Sequence, residues 1–349
     1  MCRCIAPGIP PGIITTSASR LIFFSLFSAA TAIPCEPVIL MLSTPALIVS
    51  IPALLRTSTT VIASISSKPV ASNIMAFFDI FTSEYVIIGY MKKFKYIYGP
   101  VYSWRLGRSL GVDPLSQTDK TCTFDCSYCQ IGETKLFNSG RKVFISAEAI
   151  AKEIKALPKN VKIDYITFSG NGEPTLAKNL GDIIKRVRKI RKEKIAVITN
   201  SSLIGKSDVQ EDLALADFVI LKLDANAEDL FREINRPDPG IRFGDVVKGI
   251  KRFSEIYRGR LALQIMFVGK NKAYAKEIVK MAQKLGIKEV QINTPLRECD
   301  EKPLPKSDMD IIRRYFKGMS VNYVYWAKRK PVKAMDNEDT DRRHGKDKK

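Results

Sequence analysis

Six short apolar runs, at about residues 109–115, 162–168, 194–199, 218–223, 261–268 and 288–292, alternate with stretches of helical periodicity. A strand that pairs in parallel with its predecessor needs a long crossover, and a helix supplies it. The alternation therefore predicts an α/β fold, a partial (β/α)6 TIM-like barrel that stays open. The helical stretches carry start and stop signals. Ser146 is placed to cap a helix whose Ile150, Ile154 and Leu157 share one face before Pro158 ends it. Leu180 to Ile190, Gly244 to Tyr257 and Ala273 to Leu285 follow the same period. Beyond Pro303 and Pro305, a helix at about 307–316 and a strand at about 321–326 are expected.

Ligands of such sheets bind beyond the carboxyl ends of the strands. The polar motifs fall there: a cysteine loop after the first strand, Gly170-Asn171-Gly172-Glu173-Pro174 after the second, Asn200 after the third, Asp224 after the fourth and Asn293 after the sixth. Cys122, Cys126 and Cys129 stand at C-x3-C-x2-C. Three thiolates from one short loop suit three irons of a [4Fe–4S] cube and leave the fourth open, whereas electron-transfer cubes take four cysteines. A disulfide framework is disfavoured by an odd seven cysteines in 349 residues. A structural zinc site wants four ligands, and only Cys299 and the single histidine, His344, remain downstream. A zinc-dependent RNA-binding module is the corresponding alternative. Cys2, Cys4 and Cys35 have no metal-ligand spacing.

The glycines of the second loop let backbone approach a ligand closely, and Glu173 offers a carboxylate. Asn200 and Ser202 are short polar groups suited to a ribose hydroxyl. Strand alternation puts Lys222 and Asp224 on one face, toward a barrel lumen, near substrate or as a buried ion pair. Ile234-Asn235-Arg236-Pro237 reads as a polar turn, a solvent loop or a substrate contact.

The cysteine loop resembles that of the radical S-adenosylmethionine (radical SAM) superfamily, whose signature is this spacing with an aromatic before the last cysteine, here Tyr128. Gly170 to Pro174 resembles its G-G-E-P loop, with Asn171 ahead of Gly172 as the departure. The run Gly99-Pro100-Val101-Tyr102-Ser103-Trp104-Arg105-Leu106-Gly107-Arg108-Ser109-Leu110-Gly111 resembles the Fe–S oxidoreductase branch related to the wyosine-forming 4-demethylwyosine synthases, most closely its short members. The resemblance implies that the open iron binds S-adenosylmethionine, that reduction cleaves it, and that a 5′-deoxyadenosyl radical takes hydrogen from a substrate. It implies that Gly170, Asn171, Gly172 and Glu173 receive the methionine end, that Asn200 or Ser202 meets the ribose, and that Tyr128 and Asp224 lie at the cofactor. It places Arg105 and Arg108 close to the cluster. It also implies an electron donor such as flavodoxin or ferredoxin. The second cluster of the wyosine synthases would need three more ligands, which residues 91–349 cannot supply, so one cluster is expected.

The formal charge of +20, with pI near 9.6, fits an anionic partner such as tRNA or another RNA, or a lysine-rich surface. Base modification in RNA is therefore the first substrate expectation. A radical activase or maturase acting on a partner protein, peptide or small molecule is the second. Residues 1–90 carry seven charges and read as a disordered extension or a mis-assigned start, with Met91 the true one. Within them, 37–55 is long enough to span a bilayer, but Pro45 and Pro52 interrupt it. Residues 91–300 form the barrel and 301–349 a C-terminal extension whose end, from Asp336, is charged and expected to be disordered. The cysteine usage favours a reducing, cytoplasmic location.

Overall fold

A computed structural model of the chain describes residues 13–15, 22–24, 94–137, 140–327 and 332–346. The chain divides into two units, Met1–Gly89 and Tyr90–Lys349. In the first, Ile13–Thr15 pairs antiparallel with Ile22–Phe24. The 37–55 run and the start expected at Met91 lie outside the described residues. Among the described residues no helix is long and apolar enough to cross a membrane.

The second unit is built on one curled sheet of eight strands. They are β1 (Ile97–Ser103), β2 (Gly107–Val112), β3 (Tyr165–Phe168), β4 (Lys194–Thr199), β5 (Phe218–Lys222), β6 (Arg260–Met266), β7 (Glu289–Asn293) and β8 (Ser320–Tyr323). Their spatial order is their chain order. Every pairing from β2 to β8 is parallel, and β1 joins β2 antiparallel. The helices of eight or more residues are α1 (Ala147–Lys155), α2 (Leu180–Ile190), α3 (Ser207–Ala214), α4 (Glu228–Asn235), α5 (Phe243–Ile256), α6 (Ala275–Lys284), α7 (Lys306–Tyr315) and α8 (Asn337–His344). This is the open α/β half-barrel that the alternation implied, extended by an edge strand at each side.

Alternation sorts each strand's side chains onto two faces. Ile166, Phe168, Ile195, Val197, Val219, Leu221, Leu263, Ile265, Val290 and Ile292 join the main core with the helices. Ala196, Phe218, Ile220 and Ala262 turn the other way and close a small cluster with Leu106. α1 begins as expected: the Ser146 hydroxyl accepts from the Ala149 amide at 3.2 Å, and Ile150 and Ile154 are buried. In α2, Ile183, Ile184 and Val187 are fully buried, while Arg186 reaches Glu148 at 2.6 Å on the surface. Burying each aliphatic is worth roughly 1.5–3 kcal/mol against about 0–1 kcal/mol for the exposed ion pair. The basic face of α2 is thus a solvated face, and apolar burial docks the helix.

Three differences from the sequence expectation have physical causes. β2 ends at Val112, not near 115, because Asp113 accepts the amides of Leu115 (3.1 Å) and Ser116 (2.9 Å) and turns the chain. Gly99 and Pro100, read as turn residues, lie in β1, where the register shifts between Tyr98 and Val101. Proline is tolerated there because β1 is an edge strand. The charged end of the chain is corrected from disordered to helical over Asn337–His344. Asp336 caps α8 by accepting from the Asp339 amide at 3.0 Å, and Thr340 and Arg343 are buried. The segment covers the open edge of β1: Met335 donates to the Gly99 carbonyl at 2.7 Å, and Gly99 donates to the Thr340 hydroxyl at 3.2 Å.

Candidate active site

In parallel strands all carboxyl ends lie on one side, and the chain's polar loops gather there. The cysteine loop is clamped from two directions. Thr121 donates to the Asn171 carbonyl (3.0 Å) and accepts from the Glu173 amide (3.1 Å), so the loop's entry is stitched to the glycine loop. On the other flank, Asp125 donates to the carbonyls of Asn235 and Arg236, and Ser127 to that of Ile234, at 2.8–3.1 Å. These are orphan carbonyls at the end of α4, and the cysteine loop supplies their donors. The Ile234–Pro237 turn is therefore a clamp on the cysteine loop.

Side chains complete the hold. Asn200 donates to Cys122 Sγ at 3.6 Å and to the Thr123 hydroxyl at 2.8 Å. Asn235 donates to Cys126 Sγ at 3.5 Å and to Asp224 at 2.9 Å. The Tyr128 hydroxyl donates to the same Asp224 carboxylate, whose other oxygen accepts from the Met266 amide at 2.8 Å. Lys222 stands 3.7 Å from Asp224 and 4.9 Å from the Tyr128 ring centroid. The alternation reading of Lys222 and Asp224 as a buried polar pair matches this placement.

Cys122, Cys126 and Cys129 are free thiols, and all three wall one cavity of about 240 Å³. Tyr128, Gly170, Gly172, Glu173 and Asn200 wall the same cavity. Asn171, Ser202 and Asp224 stand behind it. Asn171 donates its amide to the Gln117 carbonyl at 2.9 Å, and Ser202 bonds the Thr123 hydroxyl at 2.8 Å. Asp224 holds Tyr128. Arg108 is not at the site: it pairs with Asp164 at 2.6 Å on the surface. Arg105 does wall the cavity. Cys299 is a half-buried thiol bonded to the Glu301 carbonyl at 3.4 Å.

Glu173 is buried and well supplied with donors. Oε1 accepts from the Thr175 amide and hydroxyl and from the Thr199 hydroxyl, and Oε2 accepts from the Asn200 amide at 2.7 Å. Burial raises its pKa, and these hydrogen bonds oppose the rise. Burial also pushes the Cys122 thiol up to about 12 and the Cys126 thiol up to about 11. A metal group taking these sulfurs must displace their protons. Lys120 is the compensating charge. Burial works to lower its pKa, but the neighbouring sulfurs of Cys129, Cys122 and Cys126 outweigh that and raise it. Its ammonium donates to the Gly132 carbonyl at 2.8 Å. Sequence reasoning missed Lys120, and it noted the turn that holds Asn235 without placing that side chain at the sulfurs: neither residue belongs to the C-x3-C-x2-C spacing, and only the fold brings them there.

His344, from α8, closes the cavity's far wall. Burial first, then Arg297 and Arg105, lower its pKa to about 3. Arginine only donates, so His344 Nε2, 2.9 Å from Arg297, is the acceptor of a neutral ring. The sign follows: unfolding or undocking α8 lets His344 take a proton below its ordinary value near 6.5. The docked helix should therefore lose stability as pH falls from 6.5 toward 3, by roughly 1 kcal/mol per unit. The protection of amides 337–344, relative to their intrinsic exchange rates, should fall between pH 6.5 and 5, and His344→Gln should remove that fall. An unchanged profile in the variant would refute the assignment.

The residues present fit an iron–sulfur cube. The donors are three soft thiolate precursors from one loop, facing a cavity across from a loop of glycines. Among the described residues no three His, Cys, Asp or Glu side chains are grouped closely enough to hold a single metal ion.

A sequence profile described as the radical SAM superfamily matches residues 118–285. A UPF0026 protein of Synechocystis is 38% identical over 214 residues, covering 61% of this chain and 79% of that protein. A UPF0026 protein of Methanocaldococcus jannaschii is 37% identical, covering 62% and 68%. A probable GTP 3′,8-cyclase of Saccharolobus solfataricus is 30% identical, covering 54% and 58%. Proteins of the profile's superfamily are enzymes that use a [4Fe–4S] cluster and S-adenosylmethionine. With its half-barrel, its cysteine loop and its UPF0026 relatives, the chain belongs to the radical SAM superfamily.

Proposed function

We propose that Cys122, Cys126 and Cys129 hold three irons of one [4Fe–4S] cluster and leave the fourth open for S-adenosylmethionine. When bound and reduced, this pair supplies a 5′-deoxyadenosyl radical that takes a hydrogen atom from substrate. The observation that carries the reading is the meeting of three free thiols with Gly170, Gly172, Glu173 and Asn200 around one cavity.

The chain's own residues bind and orient. Gly172 lets the glycine loop close onto the Thr121 carbonyl, which sets its backbone at the cavity wall for the methionine end. Glu173 Oε2 accepts one internal hydrogen bond and retains capacity for an amino group. Asn200 Oδ1 accepts from the Ser202 amide at 2.9 Å and keeps a second lone pair for a ribose hydroxyl, with the Ser202 hydroxyl holding the neighbouring Thr123. Asn171 fixes the loop from behind, and Asp224 fixes Tyr128 as a wall. Lys120 keeps a positive charge beside the sulfurs and favours their thiolate form. Free thiols at all four described cysteines suit a reducing, cytoplasmic setting, where a flavodoxin or ferredoxin supplies the electron.

The test is anaerobic reconstitution of the full-length chain, followed by reduction. Iron, sulfide and formation of 5′-deoxyadenosine from S-adenosylmethionine are expected; zinc without iron or sulfide overturns the reading.

For the substrate, an RNA base is the finer reading, supported by the +20 charge and by the resemblance to the wyosine-forming branch. If six or more phosphates are contacted, affinity for total tRNA should fall by about 10³-fold or more between about 50 and 200 mM salt. Absence of binding at low salt removes RNA and leaves the partner protein, peptide or small molecule.

A further inference from the structure

β6 and β7 run side by side, with Gln264 opposite Gln291 and Met266 opposite Asn293. Leu263, Ile265, Val290 and Ile292 pack with the helices, so alternation turns Gln264 and Gln291 to the lumen. The row continues onto β5, where Lys222 is the partner of Gln264 and walls the cysteine cavity. Gln264 walls a second cavity, of about 1060 Å³, which shares Met266 with the first. Gln291 is fully buried, and neither its Oε1 nor its Nε2 has a hydrogen-bond partner. An unpaired buried carboxamide is unfavourable, and a leucine of similar size would fill the space without that cost. Packing alone therefore does not account for glutamine at this position.

The second cavity is aromatic as well as polar. Tyr102 and Trp104 line it from the β1 edge of the sheet, and Tyr325 from beyond β8. The Tyr325 hydroxyl donates to the Leu304 carbonyl at 2.7 Å, which steadies that ring. Asn293, whose Oδ1 accepts from the Thr294 amide at 2.9 Å, adds another carboxamide to the wall. Arg105 and Lys346 line the cavity, but so do Glu298 and Asp341, so charge does not select its ligand. A carboxamide donates and accepts in one plane. Such groups beside aromatic rings match the chemistry that recognises a nucleobase, in-plane hydrogen bonds to its edge and stacking on its face. A peptide amide would satisfy the carboxamides but has no ring to stack. The volume is ample for a base with its ribose.

We propose that this cavity binds a nucleobase whose edge meets Gln264. Gln291 is a positioning residue: its free amide fixes the Gln264 carboxamide in the orientation that one base requires. That the base is what the cysteine cavity acts on rests on the radical SAM reading; the base site itself does not.

Calorimetry on the full-length chain, with adenosine, guanosine, cytidine and uridine as separate probes, tests this without any cluster. At least one should bind saturably. Gln264→Leu should weaken it at least about tenfold. Gln264→Glu, of the same size but without the donor, should change which nucleoside binds best. Gln291→Leu should raise the melting temperature yet narrow the spread of affinities among the four. Gln283→Ala, exposed on α6, should bind as the parent does. The chain has two tryptophans, so in Trp326→Phe the emission of Trp104 should change on binding and locate the probe. No saturable binding of any nucleoside, unchanged affinity in both Gln264 variants, or unchanged Trp104 emission overturns the proposal. An unchanged spread in Gln291→Leu overturns the role given to Gln291. Competition by total tRNA would identify a base within RNA as the ligand, and its absence a free nucleoside. Iron and sulfide measured on the same preparation report separately on the catalytic reading. Nucleoside binding without a cluster would sink only that reading, and a cluster without nucleoside binding only this one.

Discussion

Cys126→Ala should leave the full-length chain folded and eliminate 5′-deoxyadenosine formation. Three thiols are the ligand set proposed for the cluster, so the loss of one leaves two iron corners without a protein ligand. Iron and sulfide retained after anaerobic desalting should fall with the activity. The fold should survive. Cys126 is half-buried, and its hydrogen-bond donor, Asn235, keeps Asp224 as a partner at 2.9 Å. The stability change should therefore stay within about 1 kcal/mol. Cys299→Ala is the matched control, because that thiol is engaged with the Glu301 carbonyl. If Cys126→Ala keeps parental iron and activity, or if Cys299→Ala loses both, the ligand assignment is wrong.

Gly172→Ala should be the most damaging single-methyl change at the site. A Cβ there would stand 1.7 Å from the Thr121 carbonyl oxygen, and the backbone φ of +145° disfavours any L side chain. The contact is with backbone, so no rotamer change relieves it. Thr121 must move, and it is bonded on both sides to the glycine loop and directly precedes Cys122. We expect a loss of about 2–4 kcal/mol, read as a lowered melting temperature, together with poor cluster retention. Gly205→Ala, where a Cβ meets nothing within 4 Å, should change stability by less than about 0.5 kcal/mol. Equal melting of the two variants would mean that the loops are not packed as described.

The parts of the site that could be read from the chain are those whose chemistry is local. Cys122, Cys126 and Cys129 share one loop, and Gly170 to Glu173 directly follows a strand, so their identities and spacing carried the reading. Asn235 and Lys120 could not be ranked that way. One is the last residue of a helix and the other an ordinary lysine, until α4 and the cysteine loop meet. Arg105 and Arg108 looked equivalent three residues apart. β2 runs on from Gly107, and Arg108 turns to Asp164 on the surface while Arg105 faces the cavities. The charged C-terminal run showed no core pattern. Its order derives from the exposed edge of β1, a partner more than 200 residues away.

The alternation of apolar strands with amphipathic helices was sufficient to determine a parallel half-barrel with its loops at one end, because periodicity and crossover length are properties of consecutive residues. Which charges stand beside the thiols, which arginine turns inward and what covers the sheet's edge were decided only by tertiary structure. Those outcomes depend on close contacts between segments far apart along the chain, where hydrogen-bond and steric complementarity act and local sequence carries no record of the partner.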